Sequence, residues 1–369
     1  MQFQEALFFR PTIVTWLSVL ISGLICSPAS LWAAIPNQPA AIAPVPLVKA
    51  PKNESVQTPE EILRKRMVEK AQRASLSQVS LIFDIPVTFN SRVGYWLNYF
   101  QSRGKGWFRE WLEKATKYMP FITKELKNAG LPMDLGYIVM IESGFEPNAQ
   151  SIAKAMGPWQ FIQPTGERYG LRVSWWLDER RDLLKATRAA TRYLRDLHLD
   201  FGSWYLVAAS YNMGENGMRR QIKKHGTRDF WALSKLKAIP QETIDYVPKI
   251  LAAMLIAKAP GLYGFRDVAK MNPLEYDTLE AAGGTDLNNL ADHLGVTRKA
   301  LKDMNAELIL GYIPVQVEKH LIRVPKGAQN LASAYLKKKF PSASTAKQPI
   351  LDKSAQQELK DKDKDSVKL

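Results

Sequence analysis

From Val93 to Ala259 the apolar residues recur at helical spacing in one segment after another, and nowhere do they alternate with polar ones. The segments run over 93–102, 107–119, 120–129, 134–143, 164–169, 183–201, 204–212, 216–225, the surroundings of Trp231, and 243–259. Short loops containing Gly and Pro separate them. This pattern predicts a mainly α fold, helix packed on helix with no sheet. Trp96, Trp107, Trp111 and Trp204 are expected in its core, where aromatics at helical spacing usually pack.

Both flanks read differently. From about Tyr276, the residues Leu287, Leu290, Ala291 and Leu294 predict a short amphipathic helix ending at Gly295. Thr297 is the N-cap of a second helix through Leu301 to Met304, and 321–324 reads as a strand stopped by Pro325. The expectation is a small β-α-α-β unit over 274–327, then a charged, disordered tail over 341–369. At the other end, Arg10 precedes an apolar run over 13–25, then small residues and Ala33-Ala34. That layout predicts a secretory signal over 1–34, with an uncleaved membrane anchor as the alternative. A Pro/Ala-rich linker (35–59) and a charged helical extension (60–84) lead into the body at 85–265.

Composition removes several classes of chemistry. The only cysteine, Cys26, falls inside the signal, so a mature chain has no thiol catalysis, disulfide or cysteine zinc site. The histidines His198, His225, His293 and His320 show no metal-ligand spacing, so neither metal nor cofactor is expected. The net charge of +15 points to anionic partners, which for an exported chain are wall polymers or membrane surfaces. Nucleic acid is not expected, since export and the lack of a binding motif both oppose it.

One polar residue breaks an apolar stripe. Leu135, Ile138 and Val139 stand at i−7, i−4 and i−3 from Glu142, so this carboxylate shares their helical face. Burial penalises the ionised form and should raise its pKa, which suits a general acid. A salt-bridged Glu, or a helix end carrying it into solvent, is the plainer reading.

Four clusters follow in order: Glu142-Ser143-Gly144-Phe145, Gly157-Pro158-Trp159-Gln160, Ser210-Tyr211-Asn212, and Tyr246 within Glu242-Thr243-Ile244-Asp245-Tyr246-Val247-Pro248. Together they resemble the catalytic domain of family 1 lytic transglycosylases, and within them the membrane-bound lytic murein transglycosylase D group. The resemblance covers roughly 85–265. The chain departs from the usual Gly-Leu-Met-Gln and Ala-Tyr-Asn at Pro158, Trp159 and Ser210. The resemblance implies a goose-lysozyme-like helical fold and cleavage of peptidoglycan glycan strands between N-acetylmuramic acid and N-acetylglucosamine, leaving 1,6-anhydromuramic ends.

It also implies roles: Glu142 as the single acid/base, Ser143 orienting it or the substrate, and Gln160, Tyr211 and Asn212 contacting sugar. Tyr246 would hydrogen-bond close to Glu142. Each has a structural counterpart. In that reading Ser143 ends its helix, Gln160 closes a loop, Tyr211 fills the core, Asn212 caps its helix, and Tyr246 only packs. Trp159 either stacks on a sugar or walls the cleft. A hydrolase of lysozyme type would need a second carboxylate facing Glu142, for which Glu146 and Asp178 are candidates, although Pro147 argues that the helix ends before Glu146. A catalytically silent wall-binding protein is the third reading. Finally, Leu290-Ala291, Leu294-Gly295-Val296-Thr297, Leu301, Asn305 and Leu321-Ile322-Arg323-Val324-Pro325 resemble a divergent LysM module. That implies binding to N-acetylglucosamine-containing glycan; a cap that binds nothing is the alternative.

Overall fold

A computed structural model of the chain describes residues 83–341. The expected signal with Cys26, the linker, most of the 60–84 extension and nearly all of the tail lie outside the described residues. Among the described residues, no helix is long and apolar enough to cross a membrane. The described residues divide into two compact units: one holds 83–171 together with Leu183–Pro273, the other Arg172–Asp182 together with 274–341.

The first unit is built of helices, with isolated bridges (Gln150 to Met156, Met156 to Phe161) in the loop after Ser143. Its helices are α1 (Ser91–Gln101), α2 (Lys105–Asn128), α3 (Tyr137–Ser143, entered through a 3-10 turn at Met133–Gly136), α4 (Gln163–Arg168) and α5 (Leu183–Phe201). They continue with α6 (Trp204–Met213), α7 (Glu215–His225), α8 (Phe230–Lys235) and α9 (Gln241–Lys258). Helix α9 is the core element, buried from Ile250 through Ile256, and it packs against α1, α3 and α6. The C-terminal half of α9 is apolar all round from Ile250 to Ile256 and so sits inside the protein, while its N-terminal half keeps a polar stripe through Glu242, Asp245 and Lys249. The four expected tryptophans are partly buried against this core. The two segments expected on either side of Pro120 are one continuous helix, α2. Pro120 is exposed, so its missing donor falls on the side where water can satisfy the carbonyl it leaves.

The second unit contains β1 (Tyr276–Ala282), α10 (Leu287–Leu294), α11 (Arg298–Met304), β2 (Lys319–Pro325) and α12 (Gln329–Lys339). The strands pair antiparallel, from Tyr276 opposite Pro325 to Ala282 opposite Lys319. Asp286 caps α10, Gly295 ends it in the left-handed region, and Thr297 accepts from the Ala300 amide to cap α11. Two features go beyond the β-α-α-β expectation. Helix α12 adds Ala332 and Leu336 to the unit's core. The stretch Arg172–Asp182, which lies inside the expected 85–265 domain, belongs to this unit instead. Leu177 bridges to Leu308 and enters the core, the Asp178 amide donates to the Glu307 carbonyl at 2.8 Å, and the Ile309 amide donates to the Trp176 carbonyl at 3.0 Å. Asn305 is structural: its amide donates to the Leu301 and Arg323 carbonyls and accepts from the Arg323 amide.

Candidate active site

Glu142 is the penultimate residue of α3. Tyr137 through Ile141 before it are all buried, which fixes this seven-residue helix and with it the direction of the carboxyl. The helix stops at Gly144, whose φ of +57° is one that L side chains rarely adopt; a Cβ there would lie 2.1 Å from the Trp111 indole nitrogen. The end of α3 is therefore specified both by backbone and by packing. Glu146 lies beyond that stop, half-buried, with Lys114 Nζ 3.5 Å away. Asp178 is buried within the second unit, where Arg180 binds both of its oxygens at 2.9 and 2.8 Å.

The Tyr246 hydroxyl donates to Glu142 Oε1 at 2.5 Å. Glu142 keeps some solvent access, yet it is densely surrounded, and burial pushes its carboxyl up to about 8. The Tyr246 bond works against that rise, the charge of Glu242 adds to it, and Lys249 opposes it. Near neutral pH the group therefore holds its proton. With Tyr246 on Oε1, Oε2 is left as the atom to carry that proton to a substrate.

The neighbouring loop is tied down from several sides. Ser143 Oγ donates to the Pro158 carbonyl at 2.8 Å, and the Tyr211 hydroxyl donates to the Trp159 carbonyl at 2.7 Å. Gln160, at a φ of +49°, donates through Nε2 to the Ala149 and Gly157 carbonyls at 3.0 and 2.8 Å. Trp159 is wholly buried, its indole nitrogen donating to Thr187 Oγ1 at 2.9 Å. It anchors the loop in the core and has no face open to a sugar. Gln160 closes the loop with its amide nitrogen, which leaves its carbonyl oxygen as the polar atom for a ligand. Tyr211 is electrostatically coupled to Glu142, and its own pKa is raised by burial, then by that carboxyl and by Tyr193.

Asn212 does not cap its own helix with its side chain. Its Nδ2 donates to Glu242 Oε1 at 3.0 Å, and its Oδ1 accepts from Thr243 Oγ1 at 2.7 Å, joining the end of α6 to the start of α9. Two residues near Glu142 were not singled out from sequence. Glu242 and Lys249 stand at i−4 and i+3 from Tyr246 on α9, and both are coupled to Glu142. The signal was present in that spacing, but α9 reads as a core helix and its polar stripe is only four residues deep. Among the described residues no group of three or more His, Cys, Asp or Glu could hold a metal ion.

This arrangement offers one protonated carboxyl, a tyrosine bonded to it, and a stiff polar loop beside it. Residues 119–234, which include Glu142, Ser143, Gln160, Tyr211 and Asn212, match the family model described as Transglycosylase SLT domain. The chain is also 35% identical over 209 residues to membrane-bound lytic murein transglycosylase D of Escherichia coli strain K12. The protein of the same name from Escherichia coli O6:H1 (strain CFT073) matches equally. In each case the match covers 55% of this chain and 45% of the relative, so the chain spans about half the length of the curated relatives it matches. The matched span lies largely within the helical unit, which is thus similar to a transglycosylase SLT domain.

Proposed function

We propose that the protein is a peptidoglycan lytic transglycosylase in which Glu142 serves first as acid and then as base. The observation that carries this reading is a carboxyl set at the end of the buried helix α3 and hydrogen-bonded by Tyr246, in surroundings where burial raises its pKa. Glu142 gives its proton to the glycosidic oxygen between N-acetylmuramic acid and N-acetylglucosamine as the bond from muramic C1 breaks. The C6 hydroxyl of the same muramic residue then attacks C1, and the Glu142 carboxylate takes the hydroxyl proton. A 1,6-anhydro ring forms, no water enters, and the protein returns to its starting state. Most glycosidases need a second carboxyl to supply or activate a nucleophile; here the substrate brings its own.

Ser143, Tyr211 and Gln160 hold the loop over 157–160 in shape and offer polar atoms to the sugar, Asn212 braces the α6–α9 corner, and Tyr246 orients the acid. The similarity to proteins named as membrane-bound murein enzymes supports a place in the cell envelope. Export would rest on the leader expected at 1–34. The C-terminal unit, which resembles LysM modules in sequence, would hold the chain on glycan.

The deciding experiment is mass spectrometry of products from purified peptidoglycan. Products with 1,6-anhydromuramic ends, lighter by one water than hydrolysed ends, are expected. Reducing muramic ends would make the protein a muramidase, and Glu242 rather than Glu146 would be the second carboxylate to test. No product at all would leave a wall-binding protein.

A further inference from the structure

Glu242, Tyr246 and Lys249 stand at i, i+4 and i+7 on α9, which places them on one stripe of that helix. Tyr246, in the middle, bonds Glu142. The residues about one turn before and one turn after it therefore flank the carboxyl with charges of opposite sign. Both charges are held in place. Glu242 is gripped by Asn212, which is itself fixed by Thr243. The Lys249 ammonium lies 4.4 Å from the centroid of the Trp96 ring on α1, a cation–π contact that restrains its long side chain. Asp245, which Arg92 binds at 3.1 Å, also acts on the Lys249 ammonium from the same helix. Among the described residues, Tyr211 of α6 is a further titratable group coupled to Glu142.

A mechanism with one carboxyl makes an unusual demand, because the same group has to be a competent acid and, moments later, a stabilised anion. Burial alone would lock the proton on. A cation in direct contact would strip it off. We propose that Glu242 and Lys249 are opposed positioning residues for Glu142: Glu242 keeps the proton on it before cleavage, and Lys249 stabilises the carboxylate that cleavage creates. This rests on the reading of Glu142 as acid and then base. The surroundings of Glu242 and Lys249 act on each of them in turn. Burial raises Glu242, with Asn212 and Lys249 easing the rise; burial lowers Lys249, with Asp245, Glu242 and Glu142 restoring part of the loss.

The test is the pH profile of kcat for release of anhydromuramic ends by the full chain and its Lys249→Met, Lys249→Arg and Glu242→Gln variants. Activity requires protonated Glu142, so the alkaline limb marks its pKa. Lys249→Met should move that limb up by ~0.5–1 pH unit, the lower end of what one nearby charge does to a carboxyl. Its kcat should fall about tenfold, since one pKa unit of lost interaction is worth a factor of ten, with KM little changed. Lys249→Arg should restore the limb, and Glu242→Gln should move it down. Limbs that stay fixed in both charge-removing variants would overturn the inference. So would a rise in KM alone for Lys249→Met, which would make the lysine a substrate ligand. Carbon-13 NMR of glutamate-labelled protein follows Glu142 without any turnover. A wild type that releases no anhydromuramic ends therefore sinks the proposed activity, while the NMR titration still decides the coupling.

Discussion

Glu142 in the helical unit and Asp182 in the C-terminal unit are both carboxylates largely withdrawn from water, and the two units treat them in opposite ways. Asp182 is bound by Arg323, whose other nitrogen lies 3.0 Å from Glu307, and all three are buried. Burial works to strip the proton from Arg323, but the attraction of Asp182 and Glu307 outweighs it and holds the guanidinium above its ordinary value. That trio is locked in one charge state and joins the Arg172–Asp182 stretch to β2. At Glu142 a tyrosine, and among the described residues no cation, holds the carboxyl by a hydrogen bond, while charges of both signs act on it. The difference is between an acid fixed for architecture and one left within reach of two protonation states.

Removing each carboxylate's function is the strongest way to break the comparison. Glu142→Gln should leave the fold intact and lower turnover by roughly 10²–10⁴-fold or more, the usual share of general acid–base catalysis. The same variant should be more stable than wild type at alkaline pH. The folded-state value of about 8 lies above the ordinary 4.5, so the stability contributed by the bound proton is complete below about 4.5 and is lost as pH rises through 8. A glutamine has nothing to lose over that range. Urea unfolding at pH 5 and pH 9 should show the variant gaining, relative to wild type, on the order of a few kcal/mol at the higher pH. Equal gaps at both pH values would mean that Glu142 is not the perturbed acid described here.

The architectural trio should behave in the reverse sense. Arg323→Met leaves Asp182 and Glu307 buried without their shared cation, and should destabilise the C-terminal unit by ~3–5 kcal/mol. Hydrogen exchange resolves the two units, so protection should fall in β1, β2 and α11 while α9 stays protected. Uniform loss across both units would contradict the division into two. Leu177→Ala asks the same of the inserted stretch. Leu177 is 2% exposed and packs in the core of the C-terminal unit, so its truncation should cost ~2–5 kcal/mol, read in the same strands.

The two regions also differ in how much of them was legible in the sequence. Helical period alone placed α5 and most of α9, because an apolar stripe has to face a core whatever the partner. Asp286, Gly295 and Thr297 act within their own turns, and such caps are readable locally. The role of Arg172–Asp182 depends on Leu308, Glu307 and Arg323, more than 120 positions away, and no local pattern carries that pairing. Pro120 looked like a break because propensity weighs the missing donor and not the side of the helix on which it falls. At the site, the phase of Glu142 was visible from its apolar neighbours. Glu242 and Lys249 were not singled out, because a charge reads as surface until something buried is known to face it. Trp159 was ambiguous for a related reason: a loop tryptophan becomes an anchor only once Thr187 is found beside its nitrogen.

Tyr246→Phe is the smallest of these perturbations and the sharpest test of how Glu142 is held. Tyr246 is fully buried, and phenylalanine conserves the ring, so packing should survive. The hydroxyl bonds Glu142 in both of its protonation states, so the bond itself, worth about 1.5–3 kcal/mol to a charged group, largely cancels between them. Only the preference for the anion remains. Losing it should raise the Glu142 pKa further, moving the alkaline limb of activity up, in the direction of Lys249→Met but with a drop in kcat of about tenfold or less. A limb that moves down would show that Tyr246 favours the protonated acid, and the electrostatic picture of the site would have to be inverted.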